Sequence, residues 1–265
     1  MKMNYEPLVS VIIVNYNNAD YINECLSSIV NQKYKNIEVI VVDDRSTDKS
    51  LKILNEHMAK IKLIVNKKKT KFGSFNQINS YKNGFDISAG EIIFFLDSDD
   101  YFSNKKISKI VKYFKDNKKE QLVFDLPIYL YKNYSKKFFL KRKFLILSNW
   151  PRFSRQSCIS LRRDYAKEIF KLTNVKKYHK IWFDFRVAIY SFIKFKKINI
   201  IKSHLTYYRQ NPNTASKQFK FFSKVWWQRR LEAHEYYTFV CKKLNIKDTN
   251  TLDRIVTRVY NSLFV

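Results

Sequence analysis

Three carboxylates crowd one turn of this chain, in Asp97-Ser98-Asp99-Asp100, directly after the apolar run Ile92-Ile93-Phe94-Phe95-Leu96. Carboxylates this close repel one another unless a hard cation such as Mg²⁺ or Mn²⁺ neutralises them, and such a cation keeps positions open for substrate phosphates. The cluster reads as a cation site serving a phosphate-bearing ligand, with a solvated acidic turn as the plain alternative. Two other apolar runs end in groups that suit the same ligand. Residues 8–14 close at Asn15-Tyr16-Asn17-Asn18, and residues 37–42 close at Asp43-Asp44-Arg45-Ser46. Tyr16 can stack on a base; the Asp44 carboxylate can accept from a base N–H or a ribose hydroxyl, or simply serve a turn or helix cap.

Strands must carry these groups to one edge. The runs at 8–14, 37–42, 61–65 and 91–96 are short and apolar, as expected of strands buried on both faces. Between them, Ile22, Cys25, Leu26, Ile29 and Val30 share one helical face behind a cap at Asn18 or Asp20. Leu51, Leu54 and Met58 predict a second helix capped by Ser46, Thr47 or Asp48, and a third lies near 77–89, before Gly90. This alternation predicts a Rossmann-like, mostly parallel sheet flanked by helices, with ligand loops at the carboxyl ends of its strands. Ser103 caps a helix carrying Ile107, Ile110, Val111 and Phe114, and a strand follows at 122–131. Residues 138–147 mix aromatics with Lys141, Arg142 and Lys143, and 149–152 read as loop. Helices near 164–172 and 183–192, strand-like runs at 198–201 and 205–208 and a helix over 219–244 complete the pattern. No solenoid repeat occurs.

At 265 residues and 45% apolar, the chain suits one α/β domain with or without an appendage, and excludes a fibrous or disordered protein. Three scattered cysteines form neither a disulfide framework nor a zinc pattern and fit a reducing cytoplasm. The first residues lack a signal-peptide core, and no stretch approaches the roughly 20 apolar residues of a spanning helix, so a soluble or peripherally bound protein is expected. Lysines and arginines equal acids over residues 1–100, 13 to 13, but outnumber them 26 to 6 over 101–200 and 12 to 4 over 201–265. An acidic partner is expected at the second half.

The segments VSVIIVNYN at 9–17, VIVVDDRSTDKS at 39–50 and GEIIFFLDSDD at 90–100 together resemble the inverting glycosyltransferases of family two, which have the GT-A fold. The resemblance covers the first 115 residues and continues beyond them only in outline. It implies a UDP-sugar donor whose uracil and ribose meet Val14, Tyr16 and Asp44. It also implies a DXD motif at Asp97, Ser98 and Asp99 that holds Mn²⁺ or Mg²⁺, with Asp99 the direct ligand, Asp97 its partner or a ribose contact, and Asp100 a neighbour capping the next helix. The family's catalytic base falls on Asp184, in Lys180-Ile181-Trp182-Phe183-Asp184-Phe185-Arg186. Burial beside Trp182 and Phe183 should raise its pKa while Arg186 lowers it. A plain helix cap is the alternative for Asp184, and Asp164 is the reserve base.

Two departures from the family pattern stand out. Tyr81-Lys82-Asn83 replaces an Ala-Arg-Asn segment, leaving Lys71 or Lys82 to supply the missing cation. Tyr208-Arg209 is followed by Gln210-Asn211 where relatives place His; Arg209 is expected to clamp the diphosphate, and His204 to be structural. The resemblance implies three segments: a donor half at 1–115, an acceptor and base half of the same domain at 116–218, and a helical extension at 219–265. It implies transfer of a hexose or N-acetylhexosamine to a glycan or lipid-linked hydroxyl in bacterial lipooligosaccharide, capsule or other surface polysaccharide synthesis, in the cytoplasm or at the inner membrane face. The stripe Phe221, Phe222, Val225, Trp226, Ala233, Tyr236, Tyr237 and Val240, set among Lys220, Lys224, Arg229 and Arg230, reads as core, homodimer face or anionic-membrane contact. Nucleic acid is not an expected partner. A non-catalytic nucleotide-sugar or glycan-binding module with a membrane-associating basic half is the competing reading.

Overall fold

The computed structural model describes residues 5–140, 150–173, 177–211 and 220–264. Strand β1 (Val9–Asn15) is buried along its whole length and lies parallel between β2 (Ile37–Asp43) and β4 (Ile92–Asp97), with β3 (Lys62–Val65) outside β2. Successive side chains alternate between the two faces, so one apolar run feeds two cores. Ile12, Ile40, Val42, Ile93 and Phe95 face one layer; Val11, Ile13, Val41, Phe94 and Leu96 face the other. The second layer holds α1 (Ile22–Val30), α2 (Ser50–Glu56) and α4 (Lys106–Asp116). The first holds α3 (Gly73–Asp86), α5 (Arg163–Thr173), α6 (Phe183–Phe195) and α7 (Lys224–Lys243). Gly84 lets α3 press on the sheet: a Cβ there would lie 2.4 Å from Ile12 Cγ2.

Register aligns the site. Val14 pairs with Val42 and Asp97, and Asn15 with Asp43, so three motifs end at one level of the carboxyl edge. Beyond β4 the sheet becomes mixed. The antiparallel strand β8 (Ile159–Arg162) joins β4 to β6 (Leu122–Leu130), which runs parallel to β9 (Ile200–Arg209). Short strands β5 (Tyr101–Phe102) and β7 (Ser135–Lys137) pair with β9 and β6. The two runs expected at 198–201 and 205–208 are thus one strand, its register shifts absorbed near Leu126.

Several expected caps are corrected. Tyr21, Lys49 and Lys105 precede α1, α2 and α4 without side-chain caps. Asn18 instead offers its carbonyl to the Tyr21 and Ile22 N–H groups, and Asp48 takes the Ser50 N–H at 2.9 Å. Ser103 uses its carbonyl, not its hydroxyl, for Lys106 N–H. Ser223 does cap α7, accepting from Trp226 N–H at 3.2 Å. A final helix, α8 (Leu252–Phe264), lies past the helix expected over 219–244 and within the helical extension expected at 219–265. The Lys141-Arg142-Lys143 stretch, Asn149 and the segment boundary at 218–219 lie outside the described residues.

Candidate active site

The loop after β2 is built on a buried carboxylate. Asp43 accepts from Asn15 Nδ2 at 2.7 Å, Ser46 N–H at 2.8 Å and Ser46 Oγ at 2.7 Å, locking the first two motifs together. Asp44, next in line, faces a pocket of about 500 Å³ that Asn66, Asn79, Asn83, Lys67 and Lys68 also line. Asn66 Nδ2 donates to Asp44 at 2.9 Å, and Asn83 donates to Asn66 at 2.8 Å. Burial raises the Asp44 pKa; the Asn66 hydrogen bond and the Lys69 charge oppose the shift. Neighbouring Tyr16 is 46% exposed, with Lys69 Nζ 3.0 Å from its ring centroid. A pocket lined by amides and one carboxylate, with a tyrosine on the next strand end, is equipped to hold a base and ribose. Val14 is buried beneath this edge and packs in the first core.

The acidic cluster divides by how each carboxylate is satisfied. Asp97 accepts from Tyr81 Oη at 2.7 Å and Gln77 Nε2 at 3.0 Å. Asp100 accepts from Ser157 Oγ at 2.5 Å and Arg209 N–H at 2.8 Å, so it braces β9 and caps no helix. The Asp99 carboxylate meets its own backbone N–H, with the Arg209 charge nearby. Ser98 is buried and accepts from Asn18 Nδ2 at 2.8 Å, tying the first motif to the third. Burial, then the Asp99 charge, pushes Asp97 up to about 7. The same two causes raise Asp100, and burial raises Asp99. Three acids that would rather be neutral mark a place short of positive charge.

Asp184 stands in the first turn of α6, one residue past the Trp182–Phe183 start, and accepts from Phe185 N–H at 2.7 Å. Burial raises its pKa, and the charges of Arg155 and Arg229 pull it back. Arg186, expected in that role, instead turns inward to the carbonyls of Ile181 and Tyr178. Phe183, next to Asp184 in α6, stacks on Tyr81, whose hydroxyl donates to Asp97, so the start of α6 lies over the acidic cluster although the two come from opposite halves of the chain. Asp164 follows β8, whose end pairs with the start of β4, and sits exposed at the far edge of the sheet.

Beneath the cluster runs a polar column that has no local sequence signature. The Lys106–Asp125 pair is fully buried at 2.8 Å, and Lys106 Nζ also donates to Ser157 O at 2.6 Å and Thr206 Oγ1 at 2.7 Å. The Ser157 hydroxyl then accepts from Asp97 N–H at 3.1 Å while donating to Asp100. Ser157, Lys106, Asp125, Gln77, Arg155 and Arg229 therefore join the site from four separate elements and the loop before β8.

The remaining expectations fall as follows. Lys82 pairs with Asp86 at 2.5 Å and Lys71 lies by the Phe72 ring, so at Asp97 a tyrosine hydroxyl and an amide stand where a cation was sought. Arg209 donates to Asp99 O at 2.9 Å and to Glu24 at 2.6 Å, over the Tyr21 ring. His204 contacts Phe138 O at 2.9 Å, a structural bond. Among the described residues, no three His, Cys or acidic side chains converge as a ready-made metal cage. One open carboxylate beside two satisfied ones fits a cation that draws its other ligands from phosphate and water.

The description "Glycosyl transferase family 2" matches residues 10–182. The chain is 38% identical over 111 residues to the UDP-Glc:alpha-D-GlcNAc-diphosphoundecaprenol beta-1,3-glucosyltransferase WfaP of Escherichia coli, covering 42% of this chain and 43% of that protein. It is 37% identical over 114 residues to the poly(ribitol-phosphate) beta-glucosyltransferase of Bacillus spizizenii, covering 42% and 18%. Glycosyltransferases of Haemophilus influenzae and Nostoc also match, and the chain spans only 34% to 64% of their lengths. Among solved structures, S. aureus TarS 1-349 in complex with UDP-GlcNAc superposes with a TM-score of 0.63 at 16% identity, covering 97% of this chain and 71% of TarS 1-349. The fold is GT-A.

Proposed function

The chain belongs to glycosyl transferase family 2, and from that premise we propose that it transfers a hexose or N-acetylhexosamine from a UDP-sugar to a hydroxyl of a glycan or lipid-linked acceptor, with inversion. The observation that carries this reading is the stacking of Phe183, at the start of α6 beside Asp184, on Tyr81, whose hydroxyl holds Asp97, which sets a candidate base near a candidate donor site. In this account Tyr16 stacks on uracil and Asp44, supported by Asn66, receives base or ribose hydrogen bonds. Val14 floors that pocket and Ser98 fixes its loops. Asp99 would hold Mn²⁺ or Mg²⁺ with Asp97 as its partner, and the cation would supply positive charge for the diphosphate leaving group. Arg209, anchored on Asp99 O, adds a guanidinium on the phosphate side.

Asp184 takes the acceptor proton during attack. Burial raises its basicity, and the charges of Arg155 and Arg229 oppose that rise. Residues 1–115 serve the donor, 116–218 the acceptor and base, and the helices after 219 complete the acceptor side. The relatives WfaP and the poly(ribitol-phosphate) enzyme act, by their names, on a lipid-linked diphosphate and a polyanionic polymer. A basic second half suits an acidic acceptor of that kind, and supports a role in bacterial surface-glycan synthesis at the cytoplasmic face of the membrane.

Replacing Asp184 with Asn tests the base. Turnover should fall about 10²- to 10⁴-fold. Transfer at the wild-type rate would remove Asp184 from the mechanism.

A further inference from the structure

Helix α8 is built inside out. Three of its polar residues face the protein: Arg254 is buried against Asp248 and Thr238, Thr257 is fully buried, and Asn261 donates to Trp227 O at 3.2 Å. Its apolar residues Leu252, Ile255, Val256, Val259 and Leu263 lie outward, 47% to 68% exposed. Their spacing of three and four places them on one face. The patch does not stop at α8. Phe264 meets Tyr260, Tyr260 stacks on Trp227, Trp227 meets Trp226 and Phe222, and Trp226 meets Phe221, in a continuous aromatic chain. Phe221 and Phe222 are 71% and 60% exposed, and Phe222 is held out by a left-handed backbone (φ 62°) that a bulky residue adopts only under strain.

Charge decides what covers this face. Residues 220–264 carry nine lysines and arginines against four acids. All four acids are paired within the chain: Glu232 with His179 and Lys180, Asp248 with Arg254, Asp253 with Arg230 and His234, and Glu235, at the surface, with Lys177. Lys220, Lys224, Lys242, Lys243, Lys247 and Arg258 remain exposed around the apolar surface. A second copy would bring these same cations against themselves, whereas an anionic surface with an apolar interior satisfies both features.

We propose that α8 and the Phe221-Phe222 turn form a docking face for an anionic lipid bilayer, with the aromatics entering the headgroup boundary and the cations meeting lipid phosphates. Among the described residues no helix is long and apolar enough to cross a membrane, so the contact is with its surface. This surface lies on the acceptor side: Trp226 precedes, by one turn of α7, the Arg229 whose charge acts on Asp184. It deepens the proposed role by naming the surface on which a lipid-linked acceptor arrives, yet its binding test needs no turnover.

The test is co-sedimentation of the full chain with vesicles of phosphatidylcholine alone and with phosphatidylglycerol added, compared with Ile255→Glu/Val259→Glu and with Lys220→Glu/Lys224→Glu/Arg258→Glu. UDP affinity and thermal melting are measured on every variant as fold controls. Wild type should bind the phosphatidylglycerol vesicles, bind neutral vesicles at least about tenfold more weakly, and release with rising salt. Each variant should lose about tenfold or more of that binding while keeping its UDP affinity. Wild-type protein that stays in the supernatant, or variants that bind as wild type does, would overturn the proposal. So would a wild-type dimer in analytical ultracentrifugation that Ile255→Glu/Val259→Glu splits without affecting vesicle binding.

Discussion

The two sides of the active site are assembled by different means. On the donor side, β1, β2 and β4 are adjacent and parallel, so a strand and the turn after it deliver their polar groups at one level. Each motif is contiguous, and the hydrogen bonds between them, such as Asn15 to Asp43 and Asn18 to Ser98, join strand ends that register has already aligned. On the acceptor side, Asp184, Arg155, Arg229 and Arg209 come singly from α6, the loop before β8, α7 and β9. Long-range packing places them, with Phe183 wedged among Tyr81, Phe95 and Phe170 under the start of α6. The residues proposed for the donor are thus placed by local sequence, and those proposed for the acceptor are placed by the core.

This difference can be broken from beneath. Lys106 and Asp125 sit between the halves, and Lys106→Met leaves Asp125 buried without its partner. The expected loss is about 3–5 kcal/mol of stability, read by urea unfolding; a loss within error of zero would show that the column does not hold the halves together. Ser157→Ala is gentler. It removes the hydroxyl that joins Asp97 N–H to Asp100, and should weaken Mn²⁺-dependent UDP binding by about 10- to 100-fold, as for other groups that orient metal ligands, with a fold that still melts cooperatively. Unchanged Mn²⁺ dependence would make Ser157 a packing residue only.

A smaller effect comes with pH. Asp97 is raised to about 7, and Asp99 and Asp100 are raised as well, chiefly by burial. The folded state then binds more protons than the unfolded chain, whose aspartates titrate near 3.9. Stability should decline as pH climbs from about 4 through about 7. Thermal melts without divalent cation should therefore be higher at pH 5 than at pH 7.5, and added Mn²⁺ with UDP should narrow the gap. A higher melt at pH 7.5 without cation would contradict the charge-deficient description of the cluster.

Legibility in the sequence follows the same divide. Tyr16, Asp44 and Asp97 could be read as neighbours because four apolar runs imply one parallel sheet, and their ends imply one edge. Ser157 could not, since it precedes β8, a four-residue strand too short to leave a period, and its value lies in contacts with residues some 60 positions away. Arg186 was misjudged for a physical reason: spacing placed it near Asp184, but a helix turns residues two apart to different sides, and the guanidinium went inward. Helix α8 did leave a periodic signal in Leu252, Ile255, Val256, Val259 and Leu263. What no pattern could tell is that its apolar side faces out.

On the proposed mechanism, one site is made by two halves with separable duties. Its most direct test is titration calorimetry of UDP with Mn²⁺ on Asp99→Asn and Asp184→Asn side by side. Asp99→Asn should lose the Mn²⁺-dependent part of UDP affinity, and Asp184→Asn should bind UDP as wild type does. Equal losses in both variants, or UDP binding by Asp99→Asn that still responds fully to Mn²⁺, would contradict it.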